Sequence, residues 1–326
     1  MRERLATELR HLRKELFVER NHDPSRATLV LGSGRSGTTW LAEAIARQHR
    51  GRLLFEPFHP LLGSFAGEVR LFADPDAEEP ALARSVSRIL SGRVRTPHVD
   101  QIRIGRLPRG RVVKDVHAAN LLPWLRAHLP EAPVVFVVRH PIAASLSRLR
   151  AGAFYGVGDY LATPAGREDA ERSPVAAWLP LYDRCRAHPE PLVRLVAEWC
   201  LENAYPLGRG EDPGVALVSY ESAVLDPVAE LARLGELCAG VLGAARAPAA
   251  IDAVRSPSAM DWGRTAAAAR SSGEWERLLG RWREDVAAPL VAECLAVLAE
   301  FGLEWLYGEG PLPLGGGVPP ASGEPS

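Results

Sequence analysis

The sequence predicts an α/β fold: a parallel β-sheet of the P-loop type, flanked by helices on both faces, in a single domain. Three observations carry that expectation. Short runs of branched apolar residues alternate with segments of helical periodicity along most of the chain, which is the signature of strands joined by crossover helices. The run "APVVFVVR" at 132–139 is apolar at nearly every position rather than every second one, as befits a strand covered on both sides. The stretch "GSGRSGTTW" at 32–40 closes one apolar run and opens a helix-like one, spaced Gly-x-x-x-x-Gly from Gly32 to Gly37, as in a loop that cradles phosphate.

The elements follow in order. Leu5, Leu9, Leu12 and Leu16 fall at helical spacing, so residues 2–18 read as an amphipathic helix within an N-terminal segment 1–24. "ATLVLG" (27–32) is the first strand and "TTWLAEAIARQHR" the helix after it. "RLLFEP" (52–57), "RVVKDV" (111–116), 132–139 and "GVALVSY" (214–220) supply the other strands. Helices are expected at "EEPALARSVSRIL", "AANLLPWLRAHL", "PIAASLSRLR", "LVRLVAEWCLENAYPL" and "DPVAELARLGELC". Pro141 suits a first helical turn, where its missing N–H costs nothing. Residues 151–190 read as irregular. The domain is assigned to 25–307, and the Gly/Pro/Ser-rich remainder, 308–326, to a disordered tail.

Composition narrows the function. The 326 residues carry a formal net charge of −1, which argues against a general polyanion-binding surface and so against nucleic acid as a partner. Lys14 and Lys114 are the only lysines among 39 basic residues, which draws notice to Lys114. Cys185, Cys200, Cys238 and Cys294 form no C-x-x-C pair and read as reduced thiols of a cytoplasmic protein. The N-terminal stretch shows no apolar signal core. The most apolar segment is broken by Glu293, Glu300 and Glu304, so no membrane span is expected.

Gly32, Gly34 and Gly37 allow a tight turn whose amides, with the N-terminus of the next helix, can face an anion. A nucleoside triphosphatase would place Lys where this chain has Thr38. The lysine serves β- and γ-phosphates, so its absence favours a ligand with a single 5′-phosphate group. The loop offers Arg35, Ser36, Thr38 and Thr39 instead. "RSGTTWL" following a strand resembles the 5′-phosphosulfate loop of sulfotransferases that use 3′-phosphoadenosine-5′-phosphosulfate (PAPS). The second hallmark of that family, a strand-end Arg with a Ser eight positions later, is matched by Arg139 and Ser147 in "VVFVVRHPIAASLSR".

The resemblance implies a PAPS-dependent sulfotransferase, closest in motif to the tyrosylprotein and carbohydrate branches, with no metal requirement. It assigns donor binding to Gly34, Arg35, Ser36, Gly37, Thr38, Thr39, Trp40, Arg139, Ser147 and Tyr220. Glu56, in "LLFEPF", resembles the catalytic Glu of the tyrosylprotein branch. Lys114, in "VVKDV", resembles a lysine that stabilises the transition state, and Arg35 would assist the same leaving group. His117 and His59 are the alternative bases, and a Lys114–Asp115 salt bridge is the structural alternative for Lys114. A third donor-binding element is expected near 256–275, where Ser256, Ser258, Arg264 and Arg270 are candidates and Glu274 precedes Trp275 in place of the family's Lys. The acceptor group would be a hydroxyl (or amine) of a small molecule or glycan. Phe58, Phe65, Phe154, Tyr155, Tyr160, Trp178 and Tyr182 are candidates to line its cleft. Oligomeric state is open. The competing readings are a P-loop small-molecule kinase and a non-catalytic nucleotide-binding scaffold.

Overall fold

Five parallel strands form one sheet in the order β2-β3-β1-β4-β5. They are β1 (Ala27–Gly32), β2 (Arg52–Phe55), β3 (Arg111–Asp115), β4 (Val134–Val138) and β5 (Val215–Ser219). The computed structural model describes residues 19, 21–63, 70–104, 107–152, 155–208, 210–245 and 274–315. The expected helix at 2–18 lies outside them.

The alternation of side chains along each strand divides the core in two. Leu29, Leu31, Val113, Phe136 and Val138 face one way, into a cluster completed by α4 (Pro141–Ala151), α8 (Pro191–Leu207) and α13 (Ala288–Glu300). Val30, Val112, Val135 and Val137 face the other way, against α1 (Thr38–His49) and α10 (Pro227–Leu242). Both faces are therefore dry, which is why the strands read as continuous apolar runs.

β1 is central. The chain leaves it for β2 on one side, and later enters β4 on the other. The carboxyl ends of β1 and β4 thus flank the point where strand order reverses, the usual ligand crevice of such sheets. Gly32 stands at that point with φ +142°, and a Cβ there would lie 2.1 Å from the Val137 carbonyl oxygen. Only glycine permits β1 to leave the sheet so close to β4.

The remaining elements are α2 (Pro80–Leu90), α3 (Leu122–His128), α5 (Val157–Leu161), α6 (Pro164–Glu171), α7 (Leu179–Arg186), α9 (Tyr220–Leu225), α11 (Trp275–Gly280) and α12 (Trp282–Asp285). Residues 151–190, expected to be irregular, thus contain α5, α6 and α7. Each is short, and α6 is fixed by a local cap, where Thr163 Oγ1 accepts from Gly166 N at 3.0 Å, so hydrophobic periodicity had little length in which to show. β5 ends at Ser219, whose side chain caps α9 by accepting from Ser222 N, and Tyr220 becomes helical rather than strand.

At the other end of the chain, Leu314 N donates to Leu306 O at 3.0 Å, and a ring nitrogen of His140 bonds Gly308 O at 3.1 Å. Residues 308–315 are therefore held against the domain, while 316–326 lie outside the described residues. The four cysteines are free and buried. No helix among the described residues is long and apolar enough to cross a membrane.

Candidate functional site

The site is built entirely at the carboxyl ends of the strands. One half lies around the β1 and β4 ends, the other around the β2 and β3 ends.

In the first half the glycine loop turns through two left-handed residues, Arg35 at φ +67° and Gly37 at φ +86°. A left-handed arginine is uncommon and marks a loop shaped for use rather than for ease. Gly37 precedes α1, whose N-terminus has no side-chain cap, leaving its first amides to an outside acceptor. A Cβ on Gly37 would fall 2.5 Å from the Tyr220 ring, so the glycine is demanded by packing as well as by φ. Ser36 is buried and turned inward, its Oγ 2.8 Å from Ser33 Oγ. Thr38 and Thr39 open α1.

The groups expected to bind donor converge. Arg139 Nη1 donates to the Arg35 carbonyl at 3.0 Å, and its guanidinium lies 4.6 Å above the Tyr220 ring. Its Nε is buried and has no hydrogen-bond partner among the described residues, an unsatisfied donor of the kind an anion would complete. Arg35 Nε donates to Ser147 Oγ at 3.0 Å. Trp40 meets Tyr220 edge-on, ring centroids 5.8 Å apart.

Beneath the loop lies Arg148, not singled out by sequence. Its Nε donates to Gly34 O at 3.1 Å, and its terminal nitrogens pair with Glu202 on α8. Nothing in "SLSRLR" distinguishes this arginine from a surface one; only the fold places its helix under the loop.

The second half centres on Glu56, which follows β2 at φ +43°. Its amide donates to Lys114 O at 2.7 Å, and its carboxylate is in contact with the Lys114 ammonium. Lys114 is only 3% exposed and also lies 4.6 Å from the centre of the Phe55 ring. His117 Nε2 is 3.9 Å from the free Glu56 oxygen. Burial pushes the Glu56 carboxyl up, but Lys114 and His117 outweigh it, and the net displacement is well below the ordinary value. Glu56 is therefore a carboxylate at neutral pH.

The rings of His59 and His117 are 4.5 Å apart, and Tyr155 closes on both at 5.4 and 6.1 Å. His59 Nδ1 accepts from Leu61 N and Leu62 N at 3.1 and 3.2 Å. The neutral ring must then carry its hydrogen on Nε2. Burial, aided by His117, lowers the His59 pKa to about 4, so His59 offers a donor and not a lone pair. Glu56, His59 and His117 bring one ligating atom each within 4.8 Å of one another, a grouping that could hold a metal ion. Here Lys114 already supplies the positive charge at the carboxylate.

Lys114 and Asp115 point to opposite sides of β3, as successive strand residues must, so the salt bridge between them considered above does not form. Asp115 instead accepts backbone hydrogen bonds from Phe58, His117 and Ala118. Burial pushes its carboxyl up to about 6. His98, another residue that sequence did not flag, packs edge-on against His59 and against Phe55.

Of the aromatic residues expected to line an acceptor cleft, Tyr155 touches this group. Phe58, Tyr160 and Tyr182 belong to the core, and Trp178 packs against it; Phe65 and Phe154 lie outside the described residues. So do Ser256, Ser258, Arg264 and Arg270 of the expected third element.

Residues 28–240 match the model of the sulfotransferase family. No curated protein matches the chain. Among solved structures, the chain is similar to the sulfotransferase domain from the curacin biosynthetic pathway, at 15% identity over 83% of this chain and 95% of that one, with a TM-score of 0.44. A sulfotransferase from Alicyclobacillus acidocaldarius is 17% identical over 83% of this chain and 95% of that one, with a TM-score of 0.34. A sulfotransferase from Mycobacterium avium is 15% identical over 71% of this chain and 67% of its own, with a TM-score of 0.36. With more than half of its length matched by the family model, and a parallel α/β sheet bearing the glycine loop, this chain belongs to the sulfotransferase family.

Proposed function

We propose that the protein transfers a sulfuryl group from PAPS to a hydroxyl of a small-molecule or glycan acceptor, with Glu56 as general base. The observation that carries this reading is the convergence of Arg35, Arg139 and Ser147 at the β1/β4 crevice. A doubly charged adenosine donor needs a seat for each end, and two arginines with an uncapped helix N-terminus offer two. The buried, unsatisfied Arg139 Nε fits the 3′-phosphate. Trp40 and Tyr220 suit the adenine side by stacking. The loop residues Gly34, Ser36, Gly37, Thr38 and Thr39 would hold the 5′ end.

PAPS supplies an activated sulfuryl group on a phosphate leaving group. Glu56 would take the proton of the acceptor hydroxyl as its oxygen bonds to sulfur. The bond from sulfur to the bridging phosphate oxygen breaks, and its electron pair stays with the phosphate. Lys114 and Arg35 would offset that charge from two sides, fixed cations in a site largely closed to water. The His59 Nε2 hydrogen would orient the acceptor oxygen. A working compartment in the cytoplasm accords with four reduced cysteines.

The test is transfer itself. Labelled PAPS and γ-labelled ATP are supplied in parallel with cell extract or a panel of hydroxyl acceptors. Label is expected to move from PAPS alone. Transfer from ATP alone would favour a small-molecule kinase, and specific binding of PAPS without transfer to any acceptor would favour a scaffold.

A further inference from the structure

The loop after β2 carries Glu56 and His59, and the loop after β3 carries His117. Catalysis by any of them requires the two loops to keep a fixed distance. Lys114 does not set it alone, because its ammonium reaches Glu56 only and is assigned to the leaving group. Asp115 is placed to do so. It is fully buried at the end of β3, and no Arg or Lys pairs with it among the described residues. Its Oδ2 accepts from Phe58 N at 2.7 Å, and its Oδ1 accepts from His117 N at 2.8 Å and Ala118 N at 3.3 Å.

One rigid carboxylate therefore reaches both loops. On the Glu56 side the chain is otherwise self-knit: His59 N donates to Glu56 O at 3.1 Å, and Gly63 N to His59 O at 2.8 Å. Its other ties to β3 both run to Lys114, from Glu56 N to the Lys114 carbonyl and from the Glu56 carboxylate to the Lys114 ammonium. Glu56 is held in the left-handed region, which costs a non-glycine residue free energy and persists only where neighbours over-determine it. A bare carboxylate in the core opposes folding. The three backbone hydrogen bonds that offset this cost are also the ones that tie the two loops to one point.

We infer that Asp115 is the positioning residue of the active centre, a clamp that fixes the strained turn at Glu56 and the His117 loop around one acceptor point. This rests on the functional reading above, and its test includes an arm that does not.

In the wild-type protein, the amides of Phe58 and His117 should exchange with solvent as slowly as those of the central strands; fast exchange at either would overturn the clamp. Asp115→Asn retains one accepting oxygen and turns an NH₂ toward the other loop. Phe58 or His117 should then lose protection while β1 and β4 amides keep theirs. Unchanged protection at both would overturn the proposal whether or not the protein is a sulfotransferase.

In turnover, a displacement on the order of 1 Å at a reacting group costs about a hundredfold. Asp115→Asn should lower kcat by roughly 10- to 100-fold with the Kd for adenosine 3′,5′-bisphosphate unchanged. Leu298→Ala, a core change on α13, serves as the control for lost stability. If it lowers kcat as much at matched loss of Tm, the role is merely structural. Asp115→Glu keeps the charge but displaces it; full activity would likewise overturn a positioning role. Should neither variant fold, the wild-type exchange measurement decides.

Discussion

Arg35 reaches across the crevice to Ser147, its Nε donating to the serine hydroxyl at 3.0 Å, while the carbonyl of the same Arg35 accepts from Arg139. The glycine loop after β1 and the strand–helix corner after β4 are thereby one unit. Loss of either arginine should be felt by the other, but with different consequences for the two ends of the donor.

Arg139→Ala should weaken binding of adenosine 3′,5′-bisphosphate by roughly tenfold to a hundredfold, the scale of one or two charge-assisted hydrogen bonds at about 1.5–3 kcal/mol. Adenosine 5′-phosphosulfate, which lacks the 3′-phosphate, should lose far less. Calorimetric titration of both ligands reads the difference; equal losses would rule out the assigned seat.

Glu56→Gln should leave affinity for adenosine 3′,5′-bisphosphate near that of the wild type and reduce turnover by about 10²–10⁴-fold, the usual contribution of a positioned base. Retained turnover would move the base to His117, whose Nε2 lies 3.9 Å from the Glu56 carboxylate. His59 is not the next choice, since its Nδ1 lone pair is committed to two amides.

Prolonged treatment with EDTA should leave sulfuryl transfer within a factor of about two, because Lys114 and Arg35 supply the positive charge that the leaving group needs. The measurement is initial rate before and after chelation. An abolished rate restored by a divalent ion would instead assign the Glu56, His59 and His117 grouping to a metal.

A pH effect on stability should arise at Glu198 on α8. Burial, with the neighbouring Glu202, pushes the Glu198 carboxyl up to about 7 from an ordinary 4.5. Asp159 adds to the rise, while Arg148 and Arg186 oppose it. The folded state holds this proton more tightly than the unfolded chain. The associated stability is therefore full below about 4.5 and lost as pH rises past about 7. Glu198→Gln mimics the protonated form. It should raise stability above pH 7 by an amount on the order of 1–2 kcal/mol, seen as a higher Tm, and change it little in acid. Thermal denaturation across that range checks the sign; a variant less stable than wild type at alkaline pH would contradict it.

The central sheet was readable because both of its faces are dry: runs such as 27–32 and 134–138 carry no alternation to confuse. The β1/β4 half of the site was readable for a different reason. Its residues cluster in two short segments with fixed spacing, and the sheet order brings those segments together without help. The β2/β3 half was only partly visible. Glu56, Lys114 and His117 stand at strand ends and could be named. Asp115 looked like a partner for Lys114, because sequence adjacency hides the reversal of side chains along a strand. His98 comes from a stretch without periodicity, and Arg148 from a helix face whose neighbour is known only once α8 is in place. The short helices between 157 and 186 escaped because one or two turns leave no repeating apolar stripe.

The order of the sheet has a consequence for how such an enzyme changes over time. The residues proposed to seat the nucleotide follow β1 and β4 or open α1 and α9, Lys114 at the leaving group excepted, and those proposed for the acceptor's proton follow β2 and β3. Substitutions on the β2 side can explore new alcohols while the β4 side goes on recognising the same currency. A fold divided in this way can acquire a new substrate without relearning how to hold its donor.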